Sequence, residues 1–159
     1  MRRVVVTGLG IVSCIGNNKI EVLDSLLNTK SGIVFSEEHK KYNFRSQVIG
    51  TIKNLNLDEH IDRKQKRFMG EGSAFNFIAL KEAIKESGLE EKDISNEKTG
   101  IIMGSGGPSI KNVVYAVDTT RKFAPKKMGP YIVPRTMAST CSATLAIPFK
   151  IKGVNYSIS

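Results

Sequence analysis

At 159 residues the chain suits one domain with a real core, and its 40% apolar and 25% charged residues are ordinary for a globular protein. Lys plus Arg number 24 against 15 Asp plus Glu, and the resulting net charge of +9 favours an acidic partner. Cys14 and Cys141 form no CxxC pair, the two histidines add no zinc spacing, and no apolar run is long enough to span a membrane.

The basic and then apolar start, Met1 to Val6, is broken by Gly8 and Gly10 and turns polar at Asn17. It is therefore not read as a signal peptide, and a cytoplasmic, reduced protein follows. Arg3–Thr7 predicts a buried strand leading into the glycine-rich stretch Gly8–Gly16. A dinucleotide-binding fingerprint wants a third glycine where Ser13 stands, and an acidic residue at the end of a second strand. Asp24 instead lies in an amphipathic helix marked by Ile20, Leu23, Leu26 and Leu27. The glycines are thus read as a turn that lets backbone approach backbone. Asn28 to Asn56, with turns at Lys30-Ser31-Gly32 and Gly50, is an excursion of hairpins. His39 and His60 sit among charged neighbours and read as solvated surface residues, with no nucleophile or apolar pocket signal beside them.

The longest helical signal runs from Asp62 to Ser87. Phe68, Gly72, Phe75, Ala79 and Ala83 recur every three or four residues, Glu71, Lys81, Glu82, Lys85 and Glu86 supply the wet face, and Gly88 suits the position after the helix. Its start carries Arg63, Lys64, Lys66 and Arg67, cations that work against the helix dipole there and so invite a functional reading. Thr99–Met103 predicts a second buried strand. The glycine-rich Gly104–Ser109 after it lacks the Lys-Ser or Lys-Thr of a phosphate-binding loop. One short amphipathic stretch and a second cationic cluster, Arg121 to Lys127, lead to Gly129, Pro130 and Pro134. Met137, Cys141, Leu145 and Phe149 then fall four apart on one helical face, in a helix that Pro148 ends. Gly153 turns the chain into Val154–Ser159, an uncharged, β-branched and aromatic run that predicts a mostly buried strand. Three buried strands with helices between them make an α/β architecture with a parallel sheet.

Taken together, RRVVVTGLGIVSCIGN (2–17), Ser31-Gly32-Ile33, IDRKQKRFM (61–69), GIIMGSGGPS (100–109), GPYIVPRTMAS (129–139) and PFKIKGVNYSIS (148–159) resemble the N-terminal part of a β-ketoacyl-acyl-carrier-protein synthase. The nearest likeness is to the type I elongating enzyme of bacterial fatty-acid synthesis. The resemblance covers nearly the whole chain and implies a thiolase-like fold built from two βαβαβαββ repeats. Residues 1–159 would be the N-terminal part of one synthase domain, with only the first repeat, an incomplete and mostly parallel sheet, its helices and a loop excursion. The family's nucleophilic cysteine would follow the strand matching Val154–Ser159, at an elbow that lowers its pKa. Its two histidines would lie further on. The resemblance therefore assigns no catalytic residue to this chain, since Cys14, Cys141, His39 and His60 match none of those positions, and it implies no cofactor and no metal.

The resemblance also implies an acyl pocket touched by Gly107 and Met137, and a docking face for an acidic, phosphopantetheine-bearing acyl carrier protein. Arg63, Lys64 and Arg67 form one cluster of that face, and Arg121, Lys126 and Lys127 form the other. It further implies a homodimer in the full-length family, with neither nucleic acid nor a membrane span. The alternatives are a catalytically inactive ketosynthase-like module that only binds the carrier, and a basic nucleic-acid-binding domain. The second has no helix-turn-helix, RNP or zinc pattern behind it.

Overall fold

The computed structural model describes residues 3–159. Met1 and Arg2, which open the basic start considered as a signal sequence, lie outside the described residues. In chain order the elements begin with helix α1 (Lys19–Leu27), strand β1 (Ile33–Phe35), α2 (Glu37–Lys41), β2 (Val48–Gly50), α3 (Leu57–His60), α4 (Arg63–Lys66) and α5 (Glu71–Ser87). They continue with α6 (Glu91–Ile94), β3 (Ile101–Gly104), α7 (Ile110–Lys122), a 3-10 turn at Pro125–Met128, α8 (Ile132–Thr136), α9 (Thr140–Ala146) and β4 (Asn155–Ile158).

The core gathers on α5. Ala74, Phe77 and Ile78 are buried with Ile61, Met69, Ile101, Leu145 and Ala146, and Leu145 is fully enclosed at 0% exposure. Phe149 closes the cluster against Phe77, with ring centroids 5.2 Å apart. The predicted helix from Asp62 is two helices. Gly70 is buried and extended between them, and a Cβ there would stand 3.0 Å from the Ser109 Cβ. Glycine is a weak helix former, and this contact breaks the helix where periodicity alone runs on. Gly88 does take the left-handed conformation, with φ of 69°, that ends α5.

The predicted stripe is also rotated, because α5 has two packed faces. Ala74, Phe77 and Ile78 face the core, while the backbone at Ala79 and Ala83 lies under the N-terminal segment. A Cβ on Gly10 would fall 1.8 Å from the Ala79 carbonyl oxygen, and one on Gly8 would fall 2.1 Å from that of Ala83. The glycine pair therefore does bring backbone onto backbone. Glu82 and Glu86, expected to face water, instead accept backbone N–H groups of that segment: Ile11 to Glu82 at 3.1 Å and Leu9 to Glu86 at 2.7 Å.

Arg3–Thr7 forms no strand, contrary to expectation. Val4, Val5 and Val6 are extended but 94%, 73% and 88% exposed, because no ladder partner lies beside them among the described residues. The apolar residues of α1 are likewise mostly outward: Val22 is buried, whereas Ile20, Leu23, Leu26 and Leu27 are exposed. The hairpin excursion is present as the antiparallel pair β1–β2, with Ile33 opposite Gly50 and Phe35 opposite Val48. His39 is not merely solvated: its ring stacks on Phe44 at 4.8 Å and its Nδ1 lies 3.2 Å from the Ser46 carbonyl, which ties the loop of that hairpin. His60 is exposed.

β3 and β4 pair in parallel, with Ile101 opposite Asn155 and Gly104 opposite Ile158. Ile101 points into the core, and Ser157 donates to the Ser142 hydroxyl of α9 at 2.8 Å. The other face of the pair is bare, so Ile102, Tyr156 and Ile158 are exposed and β4 is not the buried strand its composition suggested. The last helix starts at Thr140, not at Met137. Met137 instead ends α8 in an extended conformation and is 50% exposed. The helix ends at Ala146, two residues ahead of Pro148.

Candidate functional site

The cations gather where α4, α5, α7 and α8 meet. A cleft of about 740 Å³ opens there, lined among the described residues by Arg63, Lys66, Arg67, Lys111 and Arg135 over a floor that includes Met69 and Ala74. Its two acids each hold a lysine: Asp58 pairs with Lys66 at 2.7 Å, and Glu71 with Lys111 at 2.6 Å. The Glu71 carboxylate raises the Lys111 pKa above its ordinary value, first by the hydrogen bond and then by charge. Lys66, the one cation of the run 63–67 outside the expected docking set, is thus turned aside onto Asp58.

The six cations singled out by the resemblance behave differently. None of Arg63, Lys64, Arg67, Arg121, Lys126 and Lys127 is in an ion pair among the described residues. Arg63 and Lys64 open α4, whose first turn is fixed by Asp62: its carboxylate accepts the Lys64 backbone N–H at 2.8 Å. Both side chains are exposed. Arg121 lies in the last turn of α7, and Lys126 and Lys127 lie on the 3-10 turn that Pro125 starts. That turn folds back on α7, with the Thr120 hydroxyl 3.3 Å from the Met128 sulfur, so all three cations share one exposed corner.

Arg67 is half-buried at the seam between the two clusters. It donates to the Tyr131 hydroxyl at 2.9 Å and lies 5.2 Å from the centre of that ring. Phe68 meets the same ring edge-on at 5.0 Å, and Arg135 donates from Nε to the Arg67 carbonyl at 2.8 Å. Sequence reasoning missed Tyr131 and Arg135. Their signal was the run GPYIVPR, read as punctuation and as part of a family motif with no role given to either residue.

Gly107 and Met137 are not among the residues lining that cleft. Gly107 follows β3 with φ of 133°, and a Cβ there would meet nothing within 4 Å. Ser105 N donates to the Ile158 carbonyl at 2.8 Å, which pins the Gly104–Gly107 loop to the carboxyl end of β4. Two residues beyond Met137, the Ser139 carbonyl accepts from the Ser157 hydroxyl of the same strand at 3.4 Å. Cys141 faces the Ser73 hydroxyl at 3.3 Å, and Cys14 is wedged where a Cβ on Gly32 or Gly50 would strike it. Both thiols sit against structure.

Residues 1–159 match the profile of the β-ketoacyl synthase N-terminal domain. The chain is 52% identical, over all of its length, to 3-oxoacyl-(acyl-carrier-protein) synthase 1 of Haemophilus influenzae, and spans 39% of that protein. Its fold overlays the ishigamide ketosynthase/chain length factor with a TM-score of 0.84 at 21% identity, covering 99% of this chain and 40% of that one. It overlays the ketosynthase of a type II PKS acyl-carrier protein complex with a TM-score of 0.79 at 19% identity, covering 100% of this chain and 41% of that one. The thiolase-like α/β fold implied by the sequence motifs is the one these structures carry. With the match running from the first residue to the last, this chain belongs to the β-ketoacyl synthase family.

Proposed function

We propose that this chain is the carrier-docking, N-terminal part of a condensing enzyme of fatty-acid synthesis. The intact enzyme would take an acyl group from its carrier as a cysteine thioester and lengthen it with malonyl-carrier-protein. Loss of carbon dioxide from the malonyl group leaves a carbanion. That carbanion attacks the thioester carbonyl, forms the new carbon–carbon bond and expels the cysteine thiolate. The cysteine would follow β4 in the chain, next to the Gly104–Gly107 loop, because ligands and chemistry sit beyond the carboxyl ends of parallel strands. Gly107 leaves open space for the acyl chain there, and Met137, flexible and exposed, lines a further part of its path.

The observation that carries this reading is the pair of cationic clusters, Arg63 and Lys64 with Arg67 and Arg121 with Lys126 and Lys127, that have no acidic partner among the described residues. A phosphopantetheine-bearing carrier protein is acidic, and an exposed cationic rim attracts and orients it before the arm enters. The complex of a related ketosynthase with its acyl-carrier protein supports the same partnership. The apolar stripe Ile110, Val114 and Val117 on α7 is exposed, which supports burial in a homodimer of the complete, cytoplasmic enzyme.

The test reverses Arg63, Lys64 and Arg67 to Glu in the full-length enzyme. Weaker carrier binding and a KM for acyl-carrier-protein raised roughly tenfold or more are expected, with little change on small thioester mimics and an effect that shrinks with added salt. Equal loss on both substrates would assign the cluster to the fold. Carrier binding by a complete wild-type protein that never condenses would leave the inactive binding module.

A further inference from the structure

We propose that Arg67 is a positioning residue, a clasp that fixes the spacing of the two cationic clusters, while Arg63, Lys64, Arg121, Lys126 and Lys127 meet the carrier. This deepens the docking reading above and rests on it. The six cations are alike in sequence but not in the structure. Five are exposed, and Arg67 alone is half-buried, with its guanidinium held from both sides of Tyr131: one nitrogen on the hydroxyl at 2.9 Å, the charge 5.2 Å from the ring centre. Phe68 supports the ring edge-on, and Arg135 returns a hydrogen bond to the Arg67 carbonyl. The contacts therefore run in both directions between the end of α4 and the segment from Tyr131 to Arg135.

Tyr131 follows Lys127 by four residues, through Met128, Gly129 and Pro130. Whatever holds Tyr131 also limits where the 3-10 turn and its two lysines can go. Arg67 is itself one helical turn beyond Arg63. The clasp thus joins the two clusters by a short, stiff route. A rigid partner that must touch both clusters needs that distance set in advance, since ordering it on binding would weaken the complex. A planar guanidinium can stack and donate at once, whereas a lysine ammonium offers a point charge, so Lys cannot reproduce the clasp.

The test uses the full-length enzyme and three variants, Tyr131→Phe, Arg67→Lys and Arg63→Gln. Two quantities are read: hydrogen exchange at the Lys127 and Arg135 amides, and carrier-protein binding kinetics at low and high salt. Tyr131→Phe changes no charge. It should speed exchange at both amides and weaken carrier binding roughly three- to tenfold through faster dissociation, a part of what one hydrogen bond to a charged group is worth. The salt dependence of its association rate should stay wild type. Arg67→Lys should follow it. Arg63→Gln should do the opposite, slowing association in a salt-dependent way with wild-type exchange. Tyr131→Phe with wild-type exchange and wild-type affinity overturns the clasp. Weaker binding without faster exchange also overturns it, because Tyr131 would then touch the carrier itself, and faster exchange at wild-type affinity overturns its role in docking. If Arg63→Gln leaves carrier binding untouched, the docking reading falls and the proposal falls with it.

Discussion

Glu86 joins three parts of the molecule through one carboxylate. It lies on α5, pairs with Lys19 at the start of α1 and accepts the backbone N–H of Leu9. The Lys19 hydrogen bond first, and the Leu9 N–H second, hold its pKa below the ordinary glutamate value. A depressed carboxylate contributes stability above the unfolded-state pKa and loses it as pH falls through the lower, folded one. Protection of the Leu9 amide from hydrogen exchange should therefore fade on acidification below the ordinary glutamate range, and in Glu86→Gln it should be low and flat with pH. A pH-independent, wild-type Leu9 amide in the variant would remove Glu86 from the attachment of the N-terminal segment. At the same scale, Asp58 and Glu71 hold the two lysines of the cleft, Lys66 and Lys111.

Among elements, the β3–β4 pair sets the geometry of the proposed acyl end of the site. Parallel pairing places both carboxyl ends together, and the Ser105–Ile158 hydrogen bond extends the ladder into the glycine loop. At Gly107 two effects act on any larger side chain: the backbone φ of 133° is strained for an L residue, and the side chain would enter space that is now open. In the full-length enzyme Gly107→Ile should lower turnover of long acyl chains more than of short ones, read from product chain lengths. Uniform loss across lengths would leave only the backbone strain, and no loss would remove Gly107 from the acyl path. The break between α4 and α5 belongs to this scale too. Gly70 turns the cationic turn away from the α5 axis and lets Arg67 reach Tyr131.

For the whole molecule, the uncovered apolar surface is the main energetic fact. Val4 to Val6, the outer face of α1, the α7 stripe and the bare face of β3–β4 all carry exposed large apolar side chains. Burial is worth about 25 cal/mol per Å² of apolar surface, so faces left this open withhold much of the stabilisation their residues could provide. The edge of β4 that has no partner among the described residues adds a template for association. Expressed alone, the 159-residue chain should bind a hydrophobic dye and unfold without a sharp thermal transition. A cooperative transition from a monomer that leaves the dye dark would contradict this. Among the described residues no helix is long and apolar enough to cross a membrane.

Local chemistry in the sequence determined the caps, turns and motif order: Gly88 ending α5, the backbone approach at Gly8 and Gly10, the β1–β2 hairpin, and the cationic clusters with the family they mark. These depend on a residue's own conformational range or charge, or on neighbours a few positions away. Tertiary structure alone decided what covers each apolar run and which polar groups meet. Val4–Val6 and Val154–Ser159 have strand composition, yet burial and pairing depend on a second strand and a facing layer that no local pattern supplies. Likewise Arg67 and Tyr131 lie 64 residues apart in the chain, and only the tertiary contacts between the end of α4 and the start of α8 make one of six similar cations a clasp.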